Sequence, residues 1–432
     1  VERMEREECC DLPYTKVVFV GLNALSVAEE RFLALLQKQG IADFYWDYAS
    51  PKVIDPDNKA SYFVERNLKQ FPSQYKLAVG NEDTDEHRSP QIEVIGIPSG
   101  IGQAKQVYSI LSDLCKEDEM SAEEALKTAV ILPDEHLLIP VLNAIPEQIR
   151  RINVTMGYPL KTTLAYAFLE RLVELQAHRR EAKEGPSFYH SDVAGILTHP
   201  YVVQSDPKAI AQLREAMSAD RRIRMNASEL ATTPLLATLF APAAEWRELS
   251  DYLLRVVAAV AREPYDGDDA RQRVEFLAVI SEQLTQLRNS LDACDIEITT
   301  SIYTSLLRRH LQTVRIPFEG EPLEGLQVMG ILETRNLDFR NVVLLSMNDD
   351  NFPGNRVAQA SFIPYNLRAA FDLPTPSHHE GVYAYYFYRL IQRAERVYML
   401  YCAHADEKTT GEQSHYIYQL DFETDFRIRR VE

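Results

Sequence analysis

Residues 152–163 read INVTMGYPLKTT, a β-rich run, a glycine, then a lysine and two threonines opening a helical pattern. That order invites phosphate binding. A phosphate loop of the form G-x-x-x-x-G-K-[ST] needs both glycines, because its backbone amides wrap phosphate oxygens where a Cβ would clash. With Lys161 at the lysine position, Leu160 and Thr155 fall where the glycines belong, and Pro159 has no amide to donate. The stretch reads instead as a strand passing through a Gly-Tyr-Pro turn into a capped helix. No other segment of the sequence supplies the loop. Pro98-Ser-Gly-Ile-Gly-Gln103 also joins a strand to a helix, and a helix N-terminus can hold an anion. It carries two of the three glycines of a dinucleotide fingerprint, and no acidic residue stands out on a following strand tip, so a tight structural turn is favoured.

Other clusters resolve in the same direction. Pro133-Asp-Glu-His136 has the Pro-Asp of one class of metal-dependent nuclease, but its nearest Asp/Glu-x-Lys partner is the distant Glu181-Ala-Lys183, in a charged segment read as helix. Asp349-Asp350-Asn351 and Asp266-Gly-Asp268-Asp269 lack the rhythm of a calcium loop and read as turn chemistry. His378-His379-Glu380 lacks the H-E-x-x-H spacing that sets two imidazoles on one helical face. The five cysteines, Cys9, Cys10, Cys115, Cys294 and Cys402, form no CxxC pair, which fits a reducing compartment and argues against zinc or a disulfide framework. A net charge of −18 disfavours nonspecific polyanion binding. Arg150-Arg151, Arg221-Arg222-Ile-Arg224 and Arg308-Arg309-His310 could still line a basic groove, although solvated faces are the simpler reading.

These residues need elements to position them. TKVVFVG (15–21) is a buried-strand run, followed by a helix with Ser26 as N-cap and Gly40 as stop. ADFYWDY (42–48) reads as a short strand, and residues 49–90 as loop plus one helix near 60–70. Strands at 91–97 and 128–133 alternate with helices at GQAKQVYSILSDLC and HLLIPVLNAI. From about 162 to 316 the pattern is almost entirely helical, and strands return at 326–332, 341–347 and 396–403, the last preceded by the helix HEGVYAYYFYRLIQRAE. Alternation of this kind indicates a parallel sheet. The expected fold is α/β, with the sheet domain interrupted by a large helical insertion and then resumed. No run approaches the roughly 18–20 apolar residues of a membrane span.

The C-terminal third carries an identifiable pattern. GLQVMGILETRNLDFRNVVLLSMNDDNFPG (325–354) resembles motif V of the UvrD/Rep-type superfamily 1 helicases, with Arg335, Asn336, Leu337, Asp338 and Phe339 on its Lys-Gly-Leu-Glu-Phe segment. EGVYAYYFYRLIQRAERVYMLYCA (380–403) resembles motif VI, with Gln392-Arg393-Ala394 at the Thr-Arg-Ala position. NVTMGYPL, FYHSDVAGILTHPYV, SFIPYNLR and GEQSHYIYQL are similar to segments of the AddB (RexB) branch of helicase–nucleases, including its divergent PD-(D/E)XK nuclease family proteins, over nearly the whole chain.

The resemblance implies a RecA-like (P-loop NTPase-type) sheet with a 2B-like insertion. It divides the chain into a connector over 1–85, the sheet's first part over 86–162, the insertion over 163–318, and the sheet's second part over 319–432. On the nucleotide side it points to Arg393, Asp338 and Gln392, and on the DNA side to Thr334, Arg335 and Asn336. Glu333, Arg335 and Asn336 replace the motif V His, Lys and Gly, and Asp338 replaces the ribose-contacting Glu. Arg393 is then either half of an ATP site completed elsewhere or a relic that holds a helix to a strand. Thr334–Asn336 is either a DNA-facing loop or a buried strand end with Arg335 exposed. No cofactor or metal is expected on this chain; ATP and Mg2+ would belong to the full-length protein. The implied partners are DNA (single strands and duplex ends), an AddA-like helicase–nuclease subunit and missing N- and C-terminal domains. The implied setting is cytoplasmic double-strand-break repair. The rival is a non-enzymatic scaffold for subunit docking and DNA guidance; a third reading is a small-molecule enzyme built on the Ser99–Gln103 turn.

Overall fold

A computed structural model describes residues 13–431 apart from 49–52, 54, 74–88, 116–119, 183–184, 221, 267–269, 295, 318–323, 355–361, 372 and 406–408. The chain divides into two compact units, Val1–Met156 with Phe318–Glu432, and Gly157–Pro317. Among the described residues no helix is long and apolar enough to cross a membrane.

In the first unit, β1 (Val17–Val20) pairs in parallel with β2 (Ala42–Tyr45), and the rings of Phe19 and Phe44 stack at 5.7 Å. Between them the helix Val27–Lys38 is opened by a reciprocal cap: Ser26 Oγ accepts from the Glu29 amide at 3.3 Å, and Glu29 Oε2 accepts from the Ser26 amide at 2.7 Å. Gly40, at φ +73°, ends it.

The main sheet has seven strands: β3 (Gln91–Ile97), β4 (Thr128–Ile131), β5 (Ile152–Val154), β6 (Leu326–Met329), β7 (Asn341–Leu344), β8 (Arg396–Cys402) and β9 (Ile428–Val431). Their order is β9-β3-β8-β7-β4-β6-β5, and every pair is parallel. Every residue of β4, β6 and β7 is buried, as expected where apolar runs are covered on both faces. The helix Pro376–Ile391 lies in this core, with Ala384 to Ile391 buried without interruption. β9 and the helix His415–Glu423 were not expected from the sequence. HLLIPVLNAI forms one short helix, Leu138–Leu142, after a 3-10 turn.

The second unit begins and ends on one antiparallel pairing, Tyr158–Pro159 against Arg315–Ile316. The helix Leu164–Ala177 is capped by Thr163, whose hydroxyl accepts from the Tyr166 amide at 3.1 Å. In the helix Trp246–Arg262, buried Leu249, Tyr252, Leu253, Val256, Val257 and Val260 repeat at helical spacing and pack on Phe168, Leu277, Leu284 and Tyr303. The expectation of nearly continuous helix is corrected by a three-stranded antiparallel sheet, Arg180–Ala182, Gly185–Tyr189 and Arg224–Asn226. Glu181 therefore lies on a strand, not in a charged helix. Its period-two run is too short to outweigh the helical texture around it.

Candidate functional site

The chain between β6 and β7 crosses to the opposite end of the strands. It leaves Met329 at a carboxyl end, and Arg340 donates its amide to the Lys127 carbonyl beside the start of β4. Along this path lie the residues singled out on the DNA side. Thr334 is buried, its hydroxyl donating to the Ile331 carbonyl at 2.7 Å, so it closes a 3-10 turn. Arg335 is exposed beside Tyr386, a phenol that burial pushes upward while the nearby Arg335 guanidinium pulls it down. Asn336 sits at φ +58° and donates its side-chain amide to the Gly21 carbonyl at 3.1 Å. Gly21, at φ +69°, lies so close that a Cβ there would stand 2.5 Å from Asn336 Nδ2. The structure thus joins Asn336 and the loop after β1, and it orients Arg335 toward solvent and Tyr386.

Two of the three nucleotide-side candidates meet. Arg393 Nη1 donates to Asp338 Oδ2 at 2.8 Å. Arg389, which the sequence reading passed over, donates through Nη1 to Asp338 Oδ1 at 2.5 Å and to the Leu337 carbonyl at 2.5 Å, and through Nε to Asp47 Oδ2 at 2.8 Å. Its side chain is 4% exposed, against 36% for Arg393. Arg389 therefore knits β2's exit loop, the β6–β7 crossing and the helix Pro376–Ile391. A guanidinium among Tyr-Phe-Tyr and Leu-Ile was the available signal, because a buried charge on an apolar helix needs partners. Gln392 does not join this group: both atoms of its amide are buried without a partner.

A cavity of about 460 Å³ opens beside the crossing, lined by Gly21, Asn23, Glu29, Glu333, Arg335 and Tyr386 among others. A larger one, about 730 Å³, is walled mainly by apolar groups with Phe63, Arg66, Thr375, His378 and His379. In the larger, the Thr375 hydroxyl lies 2.9 Å from His378 Nδ1 and the Tyr62 hydroxyl 3.1 Å from His378 Nε2, an arrangement that also caps the helix Pro376–Ile391. Among the described residues no group of three His, Cys, Asp or Glu could hold a metal.

The remaining motifs serve local structure. Asp134 caps a turn and accepts from His136 Nδ1 at 2.7 Å. In the Ser99–Gln103 turn, Ser99 Oγ accepts from the Gly102 amide at 3.1 Å, and buried Gln103 accepts the Ser346 amide at 2.7 Å. A Cβ on Gly102 would stand 2.7 Å from Ile97, so the glycine is there for close approach. Asp349 accepts from His415 Nδ1 at 2.6 Å, and the Thr410 amide and hydroxyl hold the Asp350 carboxyl below its usual range. One arginine of each basic cluster is paired with a carboxylate: Arg151 with Glu324, Arg222 with Glu229 at 3.0 Å, and Arg308 with Glu170 at 2.9 Å. Cys9, Cys10, Lys183, Arg221, Asp268, Asp269 and Ser361 lie outside the described residues. The chain matches no protein-family model and no curated protein sequence.

Proposed function

We propose that this chain is the helicase-like portion of an AddB-type helicase–nuclease, acting on DNA ends in recombinational repair and touching single strands through Thr334–Asn336. In this reading the parallel sheet is RecA-like and the second unit is its 2B-like insertion. The carrying observation is the β6–β7 crossing: it leaves Arg335 exposed while Thr334 and Asn336 are fixed by their own hydrogen bonds. A cation held on a rigid backbone is what phosphate positioning requires.

ATP and Mg2+ belong to the parent protein in this proposal, and the residues present do not fit a nucleotide site by themselves. The sequence has no phosphate loop, Arg393 is engaged by Asp338, and the side-chain amide of Gln392 is buried. No step of hydrolysis is assigned to this chain. That same engagement favours the second reading, a non-enzymatic scaffold in which Asp338, Arg389 and Arg393 keep the fold rather than the chemistry.

The test is single-strand binding by the chain across a salt series, before and after Arg335→Ala. Loss of one phosphate contact should lower the log–log salt slope by about one and weaken binding of every sequence alike. An unchanged affinity and slope removes the loop from the DNA path. Magnesium-dependent ATP turnover by the chain would overturn the proposal that it supplies no step of hydrolysis by itself.

A further inference from the structure

We propose that the free edge of β1 is a strand-addition site, completed by a parallel, β-branched strand of a partner protein. β1 pairs with β2 alone, and a two-stranded sheet is marginal by itself. The register fixes which backbone groups are left over. Val17 donates its amide to the Ile41 carbonyl at 2.8 Å and Gly21 to the Tyr45 carbonyl at 3.0 Å, so the odd-numbered residues face β2. Successive residues of a strand turn their amides to opposite edges, which sends the amides and carbonyls of Val18 and Val20 outward. Among the described residues no strand lies on that side. The outer edge of β2 is closed by contrast: the Phe44 amide donates to Asp43 Oδ1 at 3.0 Å, and Asp43 is 3% exposed. An inward-turned carboxylate of that kind blunts an edge. None of the four residues of β1 is charged or is proline.

The sequence of the strand points to its occupant. Val-Val-Phe-Val is apolar at every position, the pattern of a strand covered on both faces within a parallel sheet. Phe19 stacks on Phe44 on the core side, whereas Val18 and Val20, on the other face, are 51% and 68% exposed. A parallel neighbour that carries apolar surface supplies both the missing hydrogen bonds and the missing cover. Pairing of four residues alone falls well short of the roughly 800 Å² per partner of a stable interface, so the cover over Val18 and Val20 belongs to the same partner. A second copy fits worse. Two chains of net charge −18 repel each other, and β1 paired with itself about a two-fold axis runs antiparallel. Nothing in this edge depends on the DNA-contact reading of Thr334–Asn336.

The probe is the peptide Cys-Lys-Thr-Val-Thr-Val-Gly, trapped by disulfide exchange because a lone strand binds weakly. It is offered to Thr15→Cys and, separately, to Leu22→Cys, each in the full chain with Cys9→Ser, Cys10→Ser and Cys294→Ser. Parallel addition brings the peptide's first residue to position 15 and antiparallel addition to position 22, so Thr15→Cys should trap at least about tenfold more. Of two peptides N-methylated at alternate amides, the one blocked toward β1 should lose trapping about tenfold and the other should keep it. In the free chain the Val18 and Val20 amides should exchange faster than those of Phe19 and Gly21, and trapping should slow them about tenfold. Val20→Pro should fold with an unchanged thermal midpoint, because its amide faces outward, and should abolish trapping. The methylated peptides leave the chain itself untouched, so they decide the matter should Val20→Pro fail to fold. Preferential trapping at Leu22→Cys overturns the parallel partner. No trapping at either position, an equal effect of the two methylated peptides, or trapping that survives Val20→Pro overturns strand addition at β1. Slow exchange at Val18 and Val20 in the monomeric chain means that the chain completes its own edge. Dimerisation in sedimentation that Val20→Pro abolishes means that a second copy does. Either overturns the partner strand.

Discussion

Replacing Arg389 by methionine is the most informative single perturbation of this fold. The substitution keeps most of the side-chain length and removes hydrogen bonds to Asp47, Asp338 and the Leu337 carbonyl. Removing one partner of a buried ion pair typically costs about 3–5 kcal/mol, because the other charge is left uncompensated. The two carboxylates should not share that cost equally. Asp47 is 17% exposed and Asp338 44%, so water can take over for the second far better than for the first. Arg389→Met should therefore destabilise the sheet unit by about 3–5 kcal/mol. A double-mutant cycle should give a coupling of about 2–3 kcal/mol with Asp47→Asn and at most about 1 kcal/mol with Asp338→Asn. The chain has two tryptophans, buried Trp46 in the sheet unit and buried Trp246 in the other. In a Trp246→Phe background, urea unfolding followed by fluorescence reports the sheet unit alone, which matters because two units need not unfold together. A cost below about 1 kcal/mol, or couplings in the reverse order, would refute the view that burial sets the strength of this cluster.

Two further perturbations probe the local geometry. Gly21→Ala should cost about 1–3 kcal/mol through its positive φ and the clash with Asn336, and adding Asn336→Ala should recover part of the loss; additive costs in urea melts would exclude the clash. In the second unit, burial pushes His199 from 6.5 down to about 4, and its ring packs between Phe168 at 4.8 Å and Tyr201 at 5.0 Å. Above pH 6.5 the imidazole is neutral folded or unfolded and carries no penalty. As pH falls from 6.5 to about 4 the unfolded chain takes up a proton that the folded one does not, so stability should drop by about 3 kcal/mol and then level off. Trp246 fluorescence in urea should follow this, and His199→Phe should flatten it; an equal slope in the variant would place the titration elsewhere.

Much of the local structure was legible because it is decided within a few residues. The Ser26–Glu29 cap, the Gly40 stop, the apolar run of β3 and the Thr163 cap each rest on contacts at most four positions apart along the chain, or on one side-chain pattern. The same holds for the failure of Lys161 as a phosphate ligand, since Pro159 and the absent glycines are written in the sequence. Strand order was not legible. β3 lies between β8 and β9 because pairings with residues some three hundred positions away bury its two edges, and no local preference encodes which strand arrives. The candidate site shows the same division. Arg393 and Asp338 were visible by their places in a pattern, whereas Arg389 and Gly21 acquire meaning only when the chain brings Asp47 and Asn336 against them. Periodicity and capping are short-range chemistry that a sequence states directly. Partnership between distant polar groups is settled by which surfaces pack closely enough to exclude water, and that is a property of the folded molecule.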